Sequence, residues 1–196
     1  MREYPDFNVK ELEAKLIIKG YKVILADSAE AAVEAMLGVI DTKESVGAGG
    51  SLTLREIKAL ATLKARGNSV YDHWQEGASA ADKSALRRVA SRADVYLTST
   101  NALTLDGELV NYDTFGNRAA AMIYGPEKVI IVAGYNKVVK DLEEAEKRIT
   151  GRTAPANAKR LGVDRADKLL KVKTVIYACP DDTDITVVLI KGKYGI

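Results

Sequence analysis

The chain has 196 residues, 47% of them apolar and 29% charged, with 29 Lys and Arg against 27 Asp and Glu. That is the profile of one ordinary globular domain, long enough to bury a core without a disulfide or metal staple. The lone cysteine, Cys179, excludes an intramolecular disulfide and a multi-cysteine metal cluster, and the lone histidine, His73, excludes a two-histidine metal site within one chain. No apolar run reaches the roughly 18 residues of a membrane span. The start, MREYPDFNVKELE, lacks a secretory signal's apolar core. A cytoplasmic location without membrane contact is expected.

In chain order, Asn8 caps a predicted helix, VKELEAKLIIKG, with Gly20 as its stop. YKVILA reads as a buried strand, and Ser28 caps the Ala-rich helix AEAAVEAMLGVI. A short strand leads into VGAGG, followed by a helix from about Leu52 to Ala65 and another short strand near Asn68–Tyr71. Ala80–Arg92 reads as helix, DVYLTS and LVNYD as strands, Arg118–Tyr124 as a short helix, and KVIIVAG as a buried strand. Helices are expected at about Val138–Ile149 and Ala156–Leu161. The two strand-like runs KVKTVIYA and DITVVLIKG flank the turn signal CPDDTD, which predicts an antiparallel hairpin at one sheet edge. Strands alternating with helices predict an α/β domain, residues 1–196, around a mostly parallel sheet.

Four segments carry residues suited to chemistry. Gly47-Ala48-Gly49-Gly50-Ser51-Leu52-Thr53 sits between a strand and a helix, where glycines allow close approach of an anion and Ser51 and Thr53 add hydroxyls. A tight turn with Ser51 as a plain helix cap accounts for the same string. The spacing matches neither a dinucleotide-binding nor a P-loop motif. Asn101, Asn117 and Arg118 follow another buried strand, where open α/β sheets place their ligands, and Arg118 offers a fork for carboxylate or phosphate. Between them, Asp106-Gly107 also reads as an ordinary hairpin turn. Gly134, Asn136 and Lys137 end a third buried strand, and a solvated Lys137 is an equally good reading. Asn157 and Arg160 share one helical face, as an anion clamp or as a solvated surface. His73, in the polar stretch YDHWQEG, reads as a surface or partner-facing residue, and Cys179 as a structural thiol. From Asn136 to Lys173 there are 11 Lys and Arg against 6 Asp and Glu. This mild excess suits an anionic metabolite or an acidic partner. The interleaved acids and the modest aromatic content argue against nucleic acid.

The strings GAGGSLTL, LTSTNALTLDGELVNYDTFGNRAAAMIYGPEKVIIVAGYNKVVKDLEEAEKRI and APANAKRL resemble, in order, the lactate-utilisation (LUD) domain family, also known as the YkgG or DUF162 family. The resemblance is detailed from Val46 to Leu161 and extends in layout over the whole chain. It implies a three-layer α/β/α fold like that of glucosamine-6-phosphate deaminase, ribose-5-phosphate isomerase and coenzyme A transferases. It also implies a role in lactate or related organic-acid utilisation, in an oxidation system whose redox cofactors belong largely to another subunit. Many relatives carry a Cys-rich string before the final strand; here only Cys179 remains, which argues against direct electron transfer by this chain.

The expectation is a small carboxylate- or phosphate-bearing metabolite bound by Gly47, Gly49, Gly50, Ser51, Thr53, Asn101, Asn117, Arg118, Gly134, Asn136, Lys137, Asn157 and Arg160, with no metal and no cofactor. One alternative is an isomerase, acyl or coenzyme A transferase or ATP-dependent ligase, for which Asp106 and Asp113 are the candidate catalytic carboxylates. Another is a non-catalytic subunit that docks on an iron–sulfur redox partner through the basic 136–173 segment. A homo-oligomer is compatible with each.

Overall fold

The computed structural model describes residues 4–75 and 77–196. The first half runs α1 (Val9–Ile18), β1 (Lys22–Ala26), α2 (Ala29–Val39), β2 (Val46–Ala48), α3 (Leu52–Glu56), α4 (Ala59–Arg66), β3 (Val70–Asp72), α5 (Ala80–Ala90) and β4 (Val95–Thr98). The second half runs β5 (Ala102–Thr104), β6 (Leu109–Asp113), α6 (Asn117–Tyr124), β7 (Lys128–Gly134), β8 (Val138–Val139), α7 (Leu142–Arg148), α8 (Ala154–Leu161), β9 (Val172–Ile176) and β10 (Asp184–Ile190). Side-chain caps start α1 and α2 at the residues their sequences suggest, and α5 has one as well. Asn8 accepts from the Lys10 and Glu11 amides, Ser28 from Ala31, and Ser79 forms a reciprocal capping box with Asp82.

A six-stranded sheet in the order β1-β10-β7-β4-β2-β3, parallel throughout, forms the middle layer. Successive residues of its central strand feed opposite cores. Val129, Ile131 and Ala133 of β7 pack with α1, α6 and a second sheet, while Ile130 and Val132 pack with α2, α3 and α4. The result is a three-layer α/β arrangement. The second sheet, order β8-β5-β6-β9, is mixed, and Ala102 and Val110 on it pack against Ala145 and Ile149.

Three expectations need correction. The KVKTVIYA and DITVVLIKG runs do not form an edge hairpin: β9 pairs antiparallel with β6 in the second sheet, while β10 lies inside the main sheet, parallel to β1 and β7. The burial patterns give the reason. β10 is buried from Ile185 to Ile190, as a doubly covered parallel strand must be, whereas β9 is buried only at Ile176. The helix expected from Leu52 to Ala65 breaks at Lys58, which takes a left-handed conformation (φ 58°), so that α3 docks at the carboxyl end of β7 and α4 continues over the sheet face. The helix expected from Val138 begins only at Leu142, because Val138 and Val139 pair with Leu103 and Thr104 and Asp141 caps the Glu144 amide.

Candidate functional site

The topology opens a crevice between the carboxyl ends of β2 and β4. After β2 the chain enters α3 on one face of the sheet; after β4 it leaves for the second sheet on the other face. A cavity of about 590 Å³ lies there, and a recess of about 60 Å³ leads inward from it. Gly50, Trp74, Asn101, Arg118, Thr153 and Asn157 line both.

Lys137 closes the recess. It follows β7 in a 3₁₀ turn, Tyr135–Lys137, and is 5% exposed. Its Nζ donates to Thr53 Oγ1 and Ser99 Oγ, each at 2.8 Å. Among the described residues no carboxylate side chain lies within ion-pair distance of it. Burial, and then the positive charges of Arg148 and Arg118, pull its pKa down to about 7, while Glu56 acts in the opposite sense.

Arg118 and Arg148 build the walls. The Arg118 Nε donates to Asp113 Oδ1 (2.9 Å), and its terminal nitrogens donate to Ser99 O, Asn101 Oδ1 and Tyr112 O. Four of its five N–H groups are thus spent inside the protein. Arg148 donates to Asn136 O, Asn101 O, Thr153 Oγ1 and Ile196 O, and burial pulls its pKa down to about 10. A π-helical turn, Ile149–Thr153, joins α7 to α8 and brings Thr153 to the crevice.

The nominated residues separate into two groups. Gly50, Ser51, Asn101, Asn117, Arg118, Lys137, Asn157 and Arg160 line the crevice or its recess, as does Asp113. Ser51 also caps α3, accepting from the Leu54 amide at 3.3 Å. Thr53 acts behind the lining, through Lys137. The remaining glycines serve close packing: a Cβ on Gly47 would lie 1.9 Å from the Ala90 carbonyl oxygen, and one on Gly49 2.5 Å from Thr98 Oγ1. The Gly49 amide donates to Leu97 O. Gly134 is crowded by Asn136 and Tyr194. Asn136 accepts from the Tyr194 amide and borders a separate cavity of about 470 Å³. Asp106 sits exposed on the β5–β6 turn, paired with Lys15 at 3.0 Å and outside the crevice lining. Asp113 has both oxygens engaged, by Arg118 and by the Ala119 amide.

Several crevice residues escaped the sequence reading. His73 is not a surface residue: it is 7% exposed, lines the larger cavity and is held below the usual histidine pKa, chiefly by burial and then by Arg87. It and Trp74 follow β3, whose carboxyl end lies at the same edge as those of β2 and β4. Arg160 and Arg55 lie over the Trp74 ring at 4.6 and 5.3 Å. Ser99, Thr100 and Ile196 complete the recess. A clustering of polar residues after a buried strand was the available signal for Ser99 and Thr100; His73 and Trp74 had none. Among the described residues no three His, Cys, Asp or Glu side chains are grouped to hold a metal ion, and no helix is long and apolar enough to cross a membrane.

These features define a three-layer α/β protein with a polar crevice over the carboxyl ends of its parallel strands. The chain belongs to the LUD domain family, whose sequence profile matches residues 9–195. It is similar in fold to a DUF162 family protein from Deinococcus radiodurans known from its crystal structure. That similarity has a TM-score of 0.53 at 14% sequence identity and covers 94% of this chain and 96% of the other. No curated protein matches the chain.

Proposed function

We propose that the crevice binds a small carboxylate- or phosphate-bearing metabolite, with the acid group at the recess and the rest of the molecule in the larger cavity. The observation that carries this is Lys137, an amine buried with hydroxyl partners alone, whose protonated form has no side-chain carboxylate beside it. An unpaired buried charge is costly unless it is neutralised or meets an opposite charge, and a ligand anion supplies that charge. Charge around the crevice points the same way: Lys83, Arg87, Arg118, Lys137 and Arg160 line it, and Asp113, the one described carboxylate side chain in the lining, is already paired. The organic-acid role implied by the family resemblance fits such a site. The docking-subunit reading draws less support. Within the basic 136–173 segment, Lys137 and Arg148 are buried, and Lys147, Arg165, Lys168 and Lys173 are paired with neighbouring acids.

A thermal-shift series with lactate, pyruvate, inorganic phosphate and a sugar phosphate tests the proposal. A binder at about a hundred times its Kd stabilises the fold by roughly 2.7 kcal/mol, or about 5–10 °C for a chain of this size. The shift should shrink in Arg160→Gln, which removes a crevice charge without cutting the core. No shift with any of these acids would overturn the proposal.

A further inference from the structure

We propose that Lys137 is an amine nucleophile whose Nζ, held between the Thr53 and Ser99 hydroxyls at the recess, condenses with the carbonyl carbon of a small aldehyde- or keto-acid to form an imine. This rests on the acid-binding reading of the crevice and specifies the substrate class. The placement of Nζ carries the inference: it is buried at the recess, with two hydroxyls as its hydrogen-bond partners and, among the described residues, no carboxylate side chain within ion-pair distance. Thr53 Oγ1 donates its own hydrogen to Tyr194 O, and Ser99 Oγ donates to Thr100 O. Each hydroxyl therefore presents lone pairs to Nζ and must accept from it. A neutral amine has two N–H groups and one lone pair. With two directions at Nζ held by hydroxyls, one is left open, a third N–H in the ammonium and the lone pair in the neutral amine, and Lys137 lines the recess.

The surroundings favour the neutral form. Lys137 is buried, Arg118 and Arg148 repel an ammonium, and Glu56 opposes them. A pKa of about 7 leaves much of the amine unprotonated at neutral pH, whereas an ordinary exposed lysine is neutral in roughly one molecule in a few thousand. The recess of about 60 Å³ admits the small head of a keto-acid, with its carboxylate beside Asn157, which lines the recess, and its adjacent carbonyl carbon at Nζ. Atoms balance without any co-reactant. The Nζ–C bond forms, the carbonyl oxygen takes up the two amine hydrogens and leaves as water, and a C=N bond remains. Ser99 Oγ, 2.8 Å from Nζ, can relay one of those protons.

The test is reductive trapping on the full wild-type chain at pH 7, with pyruvate or glyoxylate and cyanoborohydride, read by intact mass and peptide mapping. The expected result is one adduct per chain on Lys137, heavier by the mass of the acid less one oxygen, formed faster at pH 8 than at pH 6 and suppressed by excess lactate. Pyruvate that stabilises the fold but leaves no adduct on Lys137 overturns the imine while the acid site stands. Adducts spread over exposed lysines, with Lys137 unmodified, overturn it equally. Absence of both stabilisation and adduct overturns the imine and the acid site together. Mapping the site on the wild-type chain keeps the result independent of whether a Lys137→Met variant folds.

Discussion

Lys137 and Ser99 stand just beyond the carboxyl ends of two neighbouring parallel strands, and the Lys137 Nζ donates to Ser99 Oγ across 2.8 Å. The bond ties the end of β7 to the end of β4, and Thr53 on α3 joins it as a second acceptor. Three segments distant in sequence thus converge on one buried amine.

That amine gives stability a pH dependence. In the unfolded chain a lysine titrates near 10.5; in the fold Lys137 titrates near 7. Between these values the unfolded state binds more protons, so this group adds stability as pH rises through that window and withdraws it as pH falls. Urea unfolding of wild type and Lys137→Met at pH 6, 8 and 10 should show their difference moving in favour of wild type with rising pH. Parallel profiles would contradict the burial of a titrating lysine.

Arg118 and Arg160 both line the crevice but should respond differently to truncation. Arg118→Ala strands Asp113 and frees three acceptors, one buried and two partly buried, a loss of about 3–5 kcal/mol by analogy with broken buried pairs. Arg160→Ala removes a more exposed guanidinium bonded to Asn157 and should cost about 1 kcal/mol or less. Denaturant midpoints of the two variants measure the contrast, and Arg160 is therefore the cleaner probe of binding.

Glycines in the chain separate by what a methyl group would meet. Gly47→Ala would drive Cβ into the Ala90 backbone, which cannot yield, so a marked fall in Tm or loss of soluble protein is expected. Gly38 lies inside α2 with open space around it, and Gly38→Ala should stabilise by about 0.5–1 kcal/mol. Thermal melts of the pair test whether the glycine loop is constrained by packing.

Trp74, the sole tryptophan, reports on the crevice directly, because Arg160 covers its ring at 4.6 Å. Binding of lactate or phosphate should change its emission saturably. Arg160→Gln should weaken the apparent affinity by about tenfold, the worth of one charge-assisted hydrogen bond. Emission that stays unchanged while the fold is stabilised would place the ligand elsewhere.

Much of the layout was legible in the sequence. The caps Asn8 and Ser28 and the apolar runs of β1, β4 and β7 follow from local chemistry, and the polar residues after β2, β4 and β7 fall together because parallel strands share one carboxyl edge. Pairing across the chain was less visible. CPDDTD signals a reversal of direction, yet a turn does not oblige its flanking strands to pair. The Lys173-interrupted β9 fits a half-exposed edge and the unbroken apolar β10 a sheet interior. Lys137 read equally well as solvated, since its burial depends on Thr53 and Ser99 and on the chain around Tyr194–Gly195 closing over it. His73 reads as exposed because its neighbours are polar; the position of β3 in the sheet brings it and Trp74 to the crevice.

The most direct test of the site is the affinity for lactate as a function of pH, measured by calorimetry from pH 6 to pH 9 in wild type and Lys137→Met. Lactate is fully ionised throughout, so any change reflects the protein. A protonated Lys137 that holds the acid predicts near-constant affinity below about pH 7, then a fall of up to tenfold per unit above it, and weak, pH-independent binding in the variant. Equal affinity across the range, or binding unaltered by Lys137→Met, would contradict a lysine-centred acid site.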